Sequence, residues 1–111
     1  MGRGVEIELG GKPRVLRFGY NEIADLEEAA GAGITELLGN EKRVGLNTLR
    51  LLLTYGLRHE ERGMTKQRAG LLIEEYLAGG GDMAAFSEKL MEALTASGVL
   101  GNVEPEAAEV E

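Results

Sequence analysis

Two short runs at the start of the chain alternate between apolar and polar positions. In the first run, glutamates separate Val5, Ile7 and Leu9, and a second run of the same kind covers residues 14–18. Residues 10–13, with the sequence Gly-Gly-Lys-Pro, interrupt the alternation. Alternation with a period of two is typical of strands that bury one face, so the pattern predicts an antiparallel hairpin.

The proline in this interruption affects the predicted register. Pro13 has no backbone N–H, which disfavours a two-residue turn that would need it as a donor and favours a four-residue loop. With such a loop, Ile7 faces Leu16 on an apolar side, and Glu6 faces Arg17 on a charged side. A lone two-stranded hairpin is marginally stable in water, so we expect its apolar side to pack on helices or on another chain.

After the hairpin, the apolar positions follow the spacing of a helix face. Candidate caps and glycine breaks divide this part of the chain into segments. The predicted helices are one from the cap candidate Asn21 to Gly31, a single turn over residues 34–38, one over residues 41–59 capped by Asn40, one from Thr65 to about Ala78, and one from Asp82 to Gly98.

These elements predict an α+β fold that is mostly α. A two-stranded antiparallel hairpin is followed by four or five helices in one small domain, and 111 residues leave room for little else. We place this domain at residues 1–98 and an acidic, disordered tail at residues 99–111. The end of that tail carries four glutamates and no basic residue, a composition that cannot form a core.

The helix predicted at the centre of the fold is apolar on two sides. One side carries Leu52 among other leucines, and the opposite side carries Leu51 and Tyr55. A helix of this kind is either surrounded by its own chain or covered by a partner, and the sequence leaves both possibilities open. For the second possibility, the candidate partner-binding residues are Leu51, Leu52, Tyr55 and Val15.

Charge and composition narrow the range of ligands. The formal net charge is −7, and only 5% of the residues are aromatic, so we expect an aliphatic core and no strong attraction to nucleic acid. Four of the 19 acidic residues lie in the tail, and without them the net charge is −3 instead of −7. The chain has no cysteine, which excludes disulfides and thiolate chemistry.

The remaining motifs do not form a catalytic site. His59 is the only histidine, and no second one follows at the spacing of a helical zinc site. At the predicted end of its helix, beside Arg58, it is instead expected to interact with the last carbonyls of that helix. The Gly-Gly-Lys at residues 10–12 lacks the other positions of a phosphate loop, and the Gly-Gly-Gly at 79–81 does not follow a strand. We therefore expect a protein that is not an enzyme and that needs no cofactor and no metal.

No part of the sequence indicates attachment to a membrane. The first residues lack the apolar run of a signal peptide, and no apolar stretch approaches the roughly 20 residues that span a bilayer. We expect a soluble protein of the cytoplasm.

Several strings resemble the phage tail-assembly chaperone family. They are VEIELGGK at residues 5–12, LRF at 16–18, NEIADLEE at 21–28 and LLTYGLRHE at 52–60. The chain is most similar to the branch that is described as phage tail tube protein and typified by a gene-transfer-agent tail protein. The resemblance spans roughly residues 4–95, and it is weakest in the last third of the chain.

This resemblance implies a protein that acts without catalysis in tail morphogenesis of a siphophage, prophage or gene transfer agent. Its expected partners are the tail tube protein and the tape-measure protein, which such chaperones keep soluble in the host cytoplasm while the tail is built. The resemblance also implies that some members have a longer frameshifted product. A homo-oligomer is compatible with the sequence.

Two other functions stay open at this point. A structural tail component is the first, although we expect a tube subunit to be mainly β, and only the first 18 residues have strand character here. A small dimeric DNA-binding regulator is the second, because a strand followed by helices occurs in such proteins. The acidic residues Glu6 and Glu8, which share the outward strand face with Arg17, argue against it.

Overall fold

The computed structural model describes residues 4–39 and 45–98, and this part of the chain contains two strands and five helices. The predicted hairpin followed by helices is confirmed. The helix predicted over residues 41–59 extends over Leu46–Leu57, and its predicted cap at Asn40 is wrong, because Gly45 has an extended backbone and is the N-cap. The expected disorder of residues 99–111 lies outside the described residues, and the domain boundary stays a prediction. The elements are β1 (Val5–Leu9), β2 (Lys12–Leu16), α1 (Tyr20–Ala30), α2 (Ile34–Gly39), α3 (Leu46–Leu57), α4 (Lys66–Ala78) and α5 (Met83–Ser97).

The turn of the hairpin is shorter than the sequence predicts. The strands are antiparallel, but Ile7 pairs with Arg14 rather than with Leu16. The loop consists of Gly10 and Gly11 alone, with φ angles of 62° and 77°. Positive φ at both central residues is the type I′ geometry, which matches the twist of two antiparallel strands. The predicted four-residue loop is therefore wrong.

Pro13 is compatible with the short turn because it lies at a position of the strand pair that forms no hydrogen bond between the strands. In a two-residue hairpin the residues that flank the turn, Leu9 and Lys12, form a hydrogen-bonded pair. The next pair, Glu8 and Pro13, then exchanges no hydrogen bonds. Pro13 thus occupies a position at which β1 needs no backbone donor.

The corrected register keeps the apolar side chains on one face. Side chains alternate with a period of two, so a shift by two residues leaves each of them on its original side. Glu6 is opposite Val15, and its predicted pairing with Arg17 is wrong. The hairpin side chains buried against the helices are Ile7, Leu9, Leu16 and Phe18.

Helix α3 is the centre of the fold, as the sequence predicts. It contacts α1, α4, α5 and β2, and its apolar residues are buried on both sides. Leu46 is the exception, because it is 74% exposed. As the first residue of α3, it lies at the end of the helix rather than between the neighbouring elements. The buried leucines of α3 are Leu49, Leu51, Leu52, Leu53 and Leu57.

Helix α1 begins two residues earlier than the sequence predicts. Its N-cap is Gly19, and the backbone N–H of Gly19 donates to the Glu22 carboxylate at 3.0 Å. Asn21 lies within the first turn, so its assignment as the cap is wrong. The carboxylate three residues after the cap is the reason, since it satisfies a backbone donor outside the helix.

The caps predicted for α4 and α5 agree with the structure. The Thr65 side chain accepts a hydrogen bond from the backbone of Arg68, and the Asp82 side chain accepts one from the backbone of Ala85. Helix α5 then ends at Gly98, as predicted. Helices α4 and α5 both contact β1.

Candidate protein-interaction surface

The outer edge of β2 is occupied by the end of α3. The backbone N–H of Arg17 donates to the carbonyl of Gly56 at 2.8 Å. The Nε2 atom of His59 lies 2.9 Å from the carbonyl oxygen of Val15. The sequence suggested that His59 interacts with the last carbonyls of its own helix, and the structure gives it this strand carbonyl instead. A further strand therefore cannot pair with β2 along this edge.

A glycine allows α3 to lie this close to the hairpin. A Cβ atom on Gly56 would be 2.9 Å from the Phe18 ring and 3.0 Å from the Leu16 side chain. Contacts of that length require the neighbouring atoms to move, and both neighbours are fully buried. The absence of a side chain at Gly56 therefore allows the end of α3 to contact β2 and to cover its outer edge.

An ion pair holds the same side of the hairpin to the segment that follows α3. Arg14 Nη1 lies 2.6 Å and 2.7 Å from the two carboxylate oxygens of Glu61, and Arg14 Nε donates to the carbonyl of Leu9 at 2.9 Å. The side chains are 9% and 20% exposed, so the pair is largely shielded from water. The hairpin is thus attached to α3 and to the segment after it by both backbone and side-chain bonds.

The outer edge of β1 is open. The alternation in an antiparallel ladder directs the backbone groups of Glu6 and Glu8 away from β2, just as their partners Val15 and Pro13 direct theirs away from β1. The bonds of Val15 and Arg17 to α3 confirm this alternation on the other strand. Within residues 4–39 and 45–98, the backbone groups of Glu6 and Glu8 have no partner, and both residues are exposed.

A groove follows this open edge. Two adjoining clefts, of about 1020 Å³ and 420 Å³, share Ala85 and Lys89 and lie between β1 and α5. On the hairpin side, the clefts are lined by residues 4–8 and by Pro13 of β2, and Tyr76 of α4 also lines the smaller one. On the helix side, the groove is bordered by Ala85, Glu88, Lys89, Met91 and Glu92.

The candidate partner-binding residues do not lie together on the surface. Leu51 and Leu52 are 2% and 1% exposed and belong to the core of the chain itself. Tyr55 is half-buried, with the Arg58 guanidinium 4.6 Å from the centre of its ring, and Val15 is half-buried on the other strand face. An open docking face on α3 is therefore wrong for the two leucines. Partner binding through Tyr55 and Val15 stays a prediction.

A separate, apolar cleft lies between the start of α3 and the end of α4. It has a volume of about 470 Å³ and is lined by Leu46 and Leu77 among others. These two side chains are 74% and 40% exposed. They form an apolar patch of modest size. Such a patch says less about the kind of ligand that would bind than a strand edge with free backbone groups does.

The glycine-rich motifs have structural roles in this fold. Residues 10 and 11 form the tight turn already described, and the Gly-rich segment at 79–81 joins α4 to α5. The hydroxyl of Tyr76 donates to the carbonyl of Asp82 at 2.9 Å and accepts from its N–H at 3.1 Å. This segment is thus a linker held by a side chain.

In the part of the chain that the structure describes, no group of three or more histidine, cysteine or carboxylate side chains is arranged to hold a metal ion. None of the helices in this part combines the length and the apolar character that crossing a bilayer requires.

Sequence reasoning missed the difference between the two strand edges. Nothing in residues 12–16 indicates that β2 is covered, because the bonds come from residues of α3 and its end, 39 to 44 positions further along the chain. The ion pair of Arg14 with Glu61 was missed for the same reason. The adjacent glycines 10 and 11 did carry a usable signal, since such pairs favour a two-residue turn.

The geometry defines a small helical domain with a hairpin on its surface, of which one edge is bound and the other is open. The sequence profile of the family described as phage tail tube protein, GTA-gp10, matches residues 3–97. The match covers most of the chain, and the protein belongs to this family. Its role is therefore connected with phage tails. No curated protein and no solved structure matches the chain.

Proposed function

We propose that the protein is a tail-assembly chaperone, which binds the tail tube and tape-measure proteins in the host cytoplasm while the tail is built. The observation that carries this proposal is the difference between the two strand edges. A subunit that extends a sheet from one molecule to the next needs two free edges. Here β2 is bound to α3 through Val15 and Arg17, so the hairpin has one edge to offer.

A single open edge suits a protein that covers a partner. Pairing through β1 would satisfy the exposed backbone of a partner strand and leave no second edge for another subunit to join. This is the behaviour expected of a chaperone that prevents early polymerisation of tube subunits. The predominance of helix over two five-residue strands supports the same proposal.

A structural tail component is the second candidate, and the family description favours it. The two functions differ in where the protein is found at the end of assembly. A structural component stays in the finished particle at a fixed ratio to the other tail proteins. A chaperone binds the unassembled proteins and is absent from the particle.

The test is co-expression with the tail tube and tape-measure proteins from the same phage or gene transfer agent. A chaperone increases the soluble fraction of each partner and co-purifies with it, whereas purified particles contain none of it by quantitative mass spectrometry. A matched control is co-expression with an unrelated strand-rich protein, whose solubility should not change. If mature particles contain the protein at a fixed ratio to the other tail proteins, the chaperone function is wrong and the structural function takes its place.

A further inference from the structure

We propose that the groove between β1 and α5 binds an extended, basic segment of a partner protein, which pairs with β1 as a third strand. This inference rests on the proposed function in taking a polypeptide as the ligand. It adds the site, the conformation of the bound segment and its charge. The argument combines the backbone groups of β1, the shape of the groove and the charges that border it.

The backbone of β1 favours an extended ligand over a helical one. The N–H and carbonyl groups of Glu6 and Glu8 point out of the hairpin and have no partner among the described residues. Groups of this kind are satisfied by a strand that lies alongside, about 4.8 Å away, and not by a helix, whose backbone bonds are internal. The groove provides space for such a strand along β1 from Gly4 to Glu8.

The charges around the groove favour a basic ligand. Glu6 and Glu8 border it on the hairpin, Glu88 and Glu92 border it on α5, and Lys89 is the one basic residue among the described lining residues. None of these five forms an ion pair within the described part of the chain. A bound strand with lysine or arginine beside the two β1 glutamates gains attractive cross-strand pairs.

The alternation of a strand sets the remaining positions of the ligand. Side chains that lie between the basic positions point to the opposite face, towards α5. Ala85 and Met91 provide small and apolar surface there. The bound segment therefore alternates basic residues with small or apolar ones.

The same charges disfavour the other possible occupants. A second copy that paired through its own β1 would place glutamates against glutamates, which is unfavourable for directly opposite residues. The C-terminal residues of this chain are also poor candidates, because residues 104–111 contain four glutamates and no basic residue. The occupant that fits the groove is a basic segment of a different protein.

The first experiment measures binding of synthetic peptides to the unchanged protein by calorimetry. The probe is a nine-residue peptide of alternating lysine and valine with blocked ends, and the matched control is the same peptide N-methylated at every residue. N-methylation retains the charges but removes every backbone donor, so we expect about tenfold weaker binding. Equal binding of both peptides, or binding of neither, overturns the proposal.

The second experiment changes the protein at one backbone donor. Glu8→Pro removes an outward N–H, and Pro13 shows that the hairpin accepts proline in this pair. Glu8→Gln removes the same charge and retains the donor. We expect the proline variant to bind the lysine–valine peptide about tenfold more weakly than the glutamine variant. Equal affinities overturn the proposal, and if the proline variant does not fold, the peptide comparison decides.

A charge exchange tests the basic character of the ligand. The double variant Glu6→Lys and Glu8→Lys should bind a glutamate–valine peptide more tightly than the lysine–valine peptide, which reverses the preference of the unchanged protein. An unchanged preference overturns the proposal. Size-exclusion chromatography tests whether a second copy of this chain occupies the groove. If the unchanged protein is a dimer and Glu8→Pro converts it to a monomer, the occupant is a second copy, and the proposal is overturned.

These results are distinguishable from failure of the proposed function. If the Glu8→Pro variant captures the tail proteins as well as the Glu8→Gln variant does, the groove is wrong and the chaperone function stands. If the unchanged protein binds the peptide in the expected way but captures neither tail protein, the groove stands and the chaperone function is wrong.

Discussion

Individual residues show how closely the hairpin and the helices are fitted together. Two glycines within helices differ in how closely other side chains pack around them. Gly56 faces the buried Phe18 ring, whereas Gly70 has only the Arg50 side chain nearby. Glycine in a helix interior is unfavourable in itself, so it is only the surroundings that give these two positions different roles.

Alanine substitutions should therefore have opposite effects at these two positions. At Gly70, the new Cβ would be 3.4 Å from Arg50 Cδ, an ordinary contact, and Gly70→Ala should stabilise the protein by about 1 kcal/mol. At Gly56, the new Cβ would be 2.9 Å from the Phe18 ring, and Gly56→Ala should destabilise it by about 1–2 kcal/mol. Urea unfolding of both variants measures the difference. A stabilising Gly56→Ala would contradict the packing that closes the β2 edge.

The ion pair of Arg14 and Glu61 gives a second prediction at the same scale. Glu61→Ala leaves the 9% exposed Arg14 without its carboxylate partner, and we expect a loss of about 2 kcal/mol in the free energy of unfolding. Because an apolar pair avoids this unpaired charge, the double variant Arg14→Met and Glu61→Leu should be more stable than Glu61→Ala. A double variant that is no more stable than the single one would refute this explanation.

At the scale of elements, the sequence predicted existence and type better than boundaries. The caps at Thr65 and Asp82 lie within a few residues of the groups that they satisfy, and both predictions are confirmed. The cap of α1 and the hairpin turn were wrong by two residues each. In both cases a second local option was available, the Glu22 carboxylate for the helix and the Gly-Gly pair for the turn.

The joint between α4 and α5 provides an element-scale prediction. Asp82→Ala removes the side-chain acceptor for the N–H of Ala85 and should lower the free energy of unfolding by about 1 kcal/mol. Asp82→Asn retains an acceptor and is the matched control, with little expected change. Thermal and urea unfolding of the two variants measure the effect. Equal losses would show that the cap is not the source.

At the scale of the whole molecule, one small domain combines a bound strand edge with an open one. The bound edge depends on α3, which is itself surrounded by α1, α4 and α5. The open edge faces a groove whose wall is α5. Packing of the helices therefore decides how the hairpin can be used, and a family role in phage tails gives this surface its context.

Removal of the C-terminal tail is a prediction for the whole chain. A chain that ends at Gly98 loses four glutamates of residues 104–111, and its net charge changes from −7 to −3. The described core lies entirely before that point, so the free energy of unfolding should change by no more than about 0.5 kcal/mol. A loss of more than about 1 kcal/mol in urea unfolding would contradict the placement of the domain at residues 1–98.

The sequence by itself determined which segments form strands and helices and which faces of them are apolar. These properties follow from short-range spacing, from caps and from turn residues, all within a few positions along the chain. Only the tertiary structure decided that Leu51 and Leu52 belong to the core, that β2 is closed by Gly56 and His59, and that β1 is open. The physical reason is distance along the chain: an exposed strand edge and a covered one have the same local pattern, and the difference comes from residues about 40 positions away.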